Sequence, residues 1–180
     1  AMVDSVPGPD VVDLVPPAEG VLTSEFERYA RVLNRLAVPY ATDQTRRASI
    51  GQYSATTLTP TAGIISTVQD LEKFDLALKN GNLIQAGTLA EAWRAPVASN
   101  GQRLPHGMGW FVQSYLGENV YWQFGAGDSG SSSLMVTWPT RSLTLIVVAN
   151  SSGLTKPFNL AAGDLQASPF GKLFLSLFIR

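Results

Sequence analysis

The sequence predicts an α/β domain of the α+β kind, in which an antiparallel sheet of three or more strands is flanked by helices. Three observations lead there. Residues 108–149 hold four β-rich runs separated by short turns. Helical periodicity with capping residues appears both before and after that block. The connections inside the block are too short for crossover helices, so its strands run sequentially and antiparallel.

Composition supports a packed domain. The chain has 180 residues, of which 45% are hydrophobic and 15% charged, enough apolar material for a core and too few charges for a disordered tract. Thirteen basic and fourteen acidic residues give a net charge of -1 with no like-charge run, which argues against a nucleic-acid or acidic-membrane partner. Cysteine is absent, so disulfides, thiolate metal sites and a cysteine nucleophile are excluded. The longest apolar run, Leu143 to Ala149, is far shorter than a membrane-spanning helix.

Residues 1–23 read as an extended, proline-rich arm, because Pro7, Pro9, Pro16 and Pro17 remove backbone donors and disfavour helix. The remainder, 24–180, reads as one unit. Ser24 and Glu27 form a capping box, followed by an apolar stripe of Phe26, Tyr29, Ala30, Leu33 and Leu36 or Ala37, with Pro39 as the stop. Residues 40–63 read as a polar loop, and Arg46-Arg47 within it as solvated side chains rather than an anion site. A second helix is expected from Ser66 or Thr67, capped through Gln69 or Asp70, with Val68, Leu71, Phe74 and Leu78 inward and Asn80-Gly81 as its end. A short helix capped by Thr88 follows, turning Leu89, Ala92 and Trp93 inward before Pro96.

The β-rich runs are Met108–Val112, Asn119–Phe124, Ser132–Trp138 and Ser142–Ala149, with hairpins at Leu116–Asn119 and Pro139–Arg141. Nearly continuous apolar character predicts that the last run is a central strand covered on both faces. Ser168-Pro169 opens a terminal helix whose apolar face is Phe170, Leu173, Phe174, Leu177 and Phe178. Trp110, Trp122 and Trp138 fall in strands and Trp93 on an apolar helix face, which favours core packing over a ligand platform.

Few residues point to chemistry directly. Gly127-Asp128-Ser129-Gly130 resembles the nucleophile loop of trypsin-like proteases. That chemistry needs a histidine base far upstream, whereas His106, the only histidine, lies shortly before Ser129, and the predicted helices contradict that fold. His106 sits in the turn Leu104-Pro105-His106-Gly107. It reads either as a turn residue bonding to nearby backbone or as part of the rim of a substrate cleft. No His/Asp/Glu cluster has metal-ligand spacing, and Gly125-Ala126-Gly127 lacks the lysine and helix of a phosphate-binding loop.

Two segments carry a family resemblance. Thr61-Ala62-Gly63-Ile64-Ile65-Ser66-Thr67 continues to Asp70-Leu71 and Phe74. His106-Gly107-Met108-Gly109-Trp110 leads to Phe124-Gly125-Ala126-Gly127 and to Val148-Ala149-Asn150-Ser151. In this order, over residues 25–180, they resemble landmarks of the serine β-lactamase and penicillin-binding-protein-like family, which includes D-alanyl-D-alanine carboxypeptidases and esterases.

The resemblance implies acyl transfer through a serine ester, on a peptide, β-lactam or carboxylic ester, without a cofactor. It implies a periplasmic or extracellular location. It also implies three motifs: Ser-x-x-Lys for nucleophile and base, Tyr-x-Asn for proton shuttling and an amide contact, and a Lys-x-Gly or His-x-Gly strand. The first two are missing from this sequence. The third falls within Phe124–Asp128, with the basic position at Phe124 or at Ala126, neither of which is Lys or His.

The resemblance therefore assigns Phe124, Gly125, Ala126, Gly127, Asp128 and Ser129 to a substrate-facing strand and names no catalytic residue. The chain reads as the C-terminal portion of such a hydrolase, inactive alone, or else as a non-catalytic binding or assembly module on the same scaffold. A small acyl substrate is then the parent protein's partner. An edge strand and apolar face left by the missing N-terminal half imply a homodimer, or cover by the proline-rich arm.

Overall fold

The computed structural model describes residues 31, 34–43, 45, 47–51, 64–127 and 130–178. The arm over 1–23, the capping box at Ser24 and the Ala62-Gly63 landmark lie outside the described residues, as do Arg46, Asp128 and Ser129. Asn34–Leu36 form a turn and bend, so the predicted first helix does not extend to Leu36 or Ala37.

The predicted loop after Pro39 contains a hairpin instead. Strands β1 (Tyr40–Thr42) and β2 (Ala48–Ile50) pair antiparallel, Tyr40 opposite Ile50. The turn is held by Asp43, whose carboxylate accepts from the Thr45 hydroxyl at 2.7 Å and from the amides of Thr45 and Arg47 at 2.8 and 2.9 Å. The Thr45 hydroxyl, then the Arg47 amide, hold the Asp43 carboxyl below its ordinary range. Strands this short carry too few alternating residues to stand out from a polar loop.

Helix α1 spans Val68–Lys79, and its cap is the second predicted alternative: Thr67 Oγ1 accepts from the Asp70 amide at 3.2 Å. Leu78 is buried and Leu71 and Phe74 partly so, but Val68 is exposed, contrary to expectation. The helix buries Asp75 instead. Its Oδ2 accepts from Lys79 at 2.6 Å and from Thr144 Oγ1 at 2.7 Å, and this polar tie rotates the helix away from Val68. Helix α2 (Ala86–Ala92) is capped at Gln85 rather than Thr88, which lies inside it, and Leu89 points inward as predicted.

Four strands form an antiparallel meander in the order β3 (Phe111–Tyr115), β4 (Glu118–Ala126), β5 (Ser132–Trp138) and β6 (Leu143–Ala149). Strand β3 starts later than the predicted Met108, because Gly109 takes a φ of +75° and the Gly107 amide turns back onto the Trp110 carbonyl at 2.8 Å. Leu116 and Gly117, both at positive φ (53° and 81°), make the tight turn between β3 and β4.

The expectation for the last run is corrected in one respect. Both faces of β6 do meet neighbours, with Leu143, Leu145 and Val147 against one cluster and Ile146 against the other. Laterally, however, β6 is the outer strand of the four, and β5 is the buried one. A continuous apolar run reports cover above and below, not a neighbour on each side.

Those clusters lie on opposite faces of the sheet. Val120, Trp122, Leu134, Val136 and Trp138 meet Leu154, Leu160 and Leu165 from the segment after β6, together with Phe174 and Leu175 of helix α3 (Pro169–Leu177). Trp110 and Met135 meet Leu78 of α1 and Leu89 of α2 on the other face. Ser168 caps α3 as predicted, but the buried side is Gly171, Phe174 and Leu175, leaving Phe170, Leu173, Leu177 and Phe178 exposed. Glycine allows that approach, since a Cβ on residue 171 would stand 2.5 Å from the Leu165 carbonyl oxygen. Among the described residues no helix is long and apolar enough to cross a membrane.

Candidate functional site

The sheet brings the sequence-predicted residues to the far end of β4. Register decides what they meet. The last β3–β4 pair is Phe111 with Trp122, whereas β4 and β5 stay paired to Ala126 with Ser132. Residues 123–126 of β4 therefore have β5 on one side and no β3 residue on the other.

Phe124 is half-buried, its ring 5.8 Å from Phe111 and 6.1 Å from Trp122. Gly125 is packed tightly, since a Cβ there would stand 2.7 Å from Ser133 Oγ, and its carbonyl accepts from the buried Thr155 hydroxyl at 2.9 Å. The Gly127 amide donates to the Ser131 carbonyl at 2.8 Å, and the Gly130 amide to the Gly127 carbonyl at 3.2 Å, closing the turn into β5. Gly130 has a φ of +97° and would place a Cβ 2.6 Å from the Tyr40 carbonyl carbon, so β1 seals the outside of this turn. Ser132 Oγ donates to the Ser151 carbonyl, and Thr42 Oγ1 and Ser152 Oγ share a hydrogen bond at 3.0 Å.

This end of the sheet thus combines a tightly packed, glycine-rich backbone with small hydroxyl side chains bound to backbone carbonyls or, for Thr42 and Ser152, to each other. It carries no acid, base or cation on Phe124, Gly125, Ala126 or Gly127. Among the described residues, no group of three His, Asp or Glu side chains is arranged to hold a metal ion.

Beside it, where β3 has not yet begun, is a cavity of about 260 Å³. It is lined by His106, Gly107, Gly109, Trp110, Phe111, Gln123 and Phe124, with Trp110 and Gln123 on one face of the sheet and Phe111 and Phe124 on the other. Phe124 alone is shared with the sequence-predicted set. Pairing of His106 with Phe111 brings the histidine to the mouth, its ring edge-on to Phe111 at 5.9 Å. Neither the imidazole nor the Gln123 carboxamide makes a side-chain hydrogen bond among the described residues. Sequence reasoning had marked His106 as a possible rim residue and missed Gln123, Phe111 and the site-facing side of Trp110. The signal available for them was the glycine pair before Trp110, which interrupts the strand and leaves residues 123–126 of β4 without a β3 partner.

At the opposite end of β4, Glu118 shows what a fully engaged side chain looks like. Its carboxylate accepts from Arg141 Nη2 at 2.9 Å, from the Thr140 hydroxyl, and from Trp138 Nε1 at 2.6 Å. These bonds, Arg141 first, lower its pKa from 4.5 to about 2.

A comparison with family models agrees with the residue landmarks. The beta-lactamase family model matches residues 16–167. Among solved structures, the chain is similar to a penicillin binding protein from Bacillus halodurans, with 19% identity and a TM-score of 0.49. The similarity covers 76% of this chain and 40% of that one. Among curated proteins, none matches.

Proposed function

Because this chain belongs to the beta-lactamase family, we propose that it is the C-terminal part of a β-lactamase-like serine hydrolase and provides the strand wall of an acyl-transfer site. The supporting observation is that residues 123–126 of β4 have no β3 partner and end in glycine-rich backbone beside a cavity. In acyl transfer a serine oxygen attacks a carbonyl, and fixed N–H groups take up the charge that develops on its oxygen. A strand margin supplies backbone groups for such contacts. Nucleophile and base come from a Ser-x-x-Lys that this sequence does not contain.

Alone, the chain hydrolyses neither nitrocefin nor p-nitrophenyl esters; turnover abolished by Ser129→Ala would overturn this and restore Ser129 as a nucleophile. Adding in trans a segment that carries Ser-x-x-Lys and Tyr-x-Asn is the positive test. The substrate class is a peptide, a β-lactam or a carboxylic ester. The outer edge of β6 is completed by the N-terminal half of the domain, by the arm over residues 1–23, or by a second copy of the chain. Light scattering distinguishes the last of these.

A second reading is favoured by a specific observation. Phe124 and Ala126 stand where the family's third motif places a basic residue, and neither is basic. On that reading the domain is a binding or assembly module that retained the scaffold without the chemistry. The full reading frame separates the two, since a Ser-x-x-Lys upstream supports the hydrolase and its absence the module.

A further inference from the structure

We propose that Asn80 is a site of spontaneous deamidation, at which the backbone nitrogen of Gly81 displaces ammonia from the Asn80 side chain and water opens the resulting succinimide to aspartate or isoaspartate. The C–N bond of the side-chain amide breaks, a C–N bond to the Gly81 nitrogen forms, and hydrolysis of the ring consumes one water. Nothing is oxidised or reduced. The inference goes beyond the hydrolase reading, because it concerns a covalent change in the chain itself and holds whether or not the parent protein turns anything over.

The reaction needs a following residue that does not crowd the attack, and glycine, which has no Cβ, crowds it least. The chain has two such pairs, Asn80-Gly81 and Asn100-Gly101. Both asparagines are exposed, and both glycines hold a positive φ, 75° at Gly81 and 83° at Gly101. Exposure and backbone region therefore do not tell the pairs apart. What differs is how each is held.

At Asn100 both reacting groups are tied down. Its Oδ1 accepts from the Gln102 amide at 3.0 Å, and the Gly101 amide donates to the Ala98 carbonyl at 2.9 Å. The Ala98 amide donates to the Gln102 carbonyl at 2.8 Å and Val97 pairs with Arg103, so the turn closes on itself. At Asn80 the side chain makes no hydrogen bond among the described residues. The Gly81 amide reaches the Leu78 carbonyl only at 3.3 Å, beyond the usual range for such a bond. Asn80 has a ψ of 0°, so the Asn80–Gly81 peptide must turn before its nitrogen faces the side chain. Because Asn80 is the C-cap of α1, that turn disrupts only the weak Gly81 bond and the bond from the Asn82 amide to the Ala77 carbonyl at 2.9 Å. Element ends open far more readily than interiors. The product places a carboxylate at the C-terminal end of α1, where free carbonyls already concentrate negative charge.

The test is a timed incubation of the full chain at mildly alkaline pH, with circular dichroism to check that it stays folded. Digestion after glutamate places Asn80 in peptide 73–91 and Asn100 in peptide 92–118, and mass spectrometry reads the conversion of each amide to acid. Conversion in the folded chain is expected to run about fivefold faster at Asn80 than at Asn100, the ratio that one additional net hydrogen bond in the resting turn gives. In guanidinium chloride the two rates converge. Asn80→Gln abolishes conversion in peptide 73–91. Equal rates in the folded chain, or a faster rate at Asn100, overturns the assignment. A ratio unchanged by guanidinium chloride overturns it too, by tracing the difference to neighbours in sequence, as does conversion that persists in Asn80→Gln and so belongs to Asn82. Because conversion is read without turnover, failure here leaves the hydrolase reading standing, and hydrolytic inactivity leaves this one standing.

Discussion

The two ends of β4 are built for different purposes. At its start, Glu118 is tied by Arg141, Thr140 and Trp138, and Arg141 lies 4.4 Å over the Trp138 ring while also donating to the Phe178 carbonyl at 2.6 Å. Strand, turn and terminal helix meet there through these bonds. At its other end the side chains shrink to glycine and alanine, β3 falls away, and the side chains of His106 and Gln123 make no hydrogen bond among the described residues. One end spends its contacts on rigidity; the other holds a tightly packed backbone beside side chains without such bonds. Within one strand, that contrast separates scaffold from candidate site.

The sharpest way to break the contrast is at the scaffold end. Trp138 is fully buried and donates to Glu118, so Trp138→Ala removes ring, hydrogen bond and cation–π contact together. A loss of about 3–5 kcal/mol is expected, read as a lower urea midpoint. Next in size is the turn at the site end. Gly130→Ala forces a side chain into a left-handed backbone against Tyr40, at a cost of about 1–3 kcal/mol. A neutral result there would show that β1 does not seal this turn.

Much of this division was legible beforehand, and the failures have physical causes. Ser168-Pro169, Asn80-Gly81 and the Leu116-Gly117 turn are local signals, and each appears where expected, because capping and turn chemistry depend on neighbours in sequence. Lateral order is different. The apolar run of β6 shows cover on both faces, yet nothing in it encodes which strand lies outermost. Val68 was misjudged because helical periodicity counts apolar residues and overlooks a buried Asp75 paired with Lys79. At the site, Phe124–Gly127 came from family landmarks, whereas Gln123 required the register of β3 against β4, a long-range fact that no local pattern carries.

A smaller effect sharpens the account of the scaffold end through pH. The Glu118 pKa is lowered from 4.5 to about 2, so the folded state favours the carboxylate. The stability this supplies is fully present above pH 4.5 and is lost as pH falls towards 2, because the unfolded chain takes up the proton first. Glu118→Gln removes that dependence. Urea midpoints of wild type and variant should differ at pH 7 and converge near the acid limit; a constant gap across the range would show that the Arg141 pair contributes nothing specific to the charged form.

The smallest expected effect is also the one that most directly tests the assignment of the open end. If His106 and Gln123 belonged to the scaffold, removing them would weaken the fold as Trp138→Ala does. Neither makes a side-chain hydrogen bond among the described residues, and His106 is exposed. His106→Ala therefore changes stability by less than about 0.5 kcal/mol, the range of surface substitutions that touch no buried network. Gln123→Ala, on a half-buried face, is expected to be neutral or slightly stabilising, because it removes an amide that is unpaired among the described residues. Thermal unfolding of both variants is the measurement. A loss above about 1 kcal/mol in either would place that side chain among the groups that hold β3 to β4, and the division between the two ends of the strand would have to be redrawn.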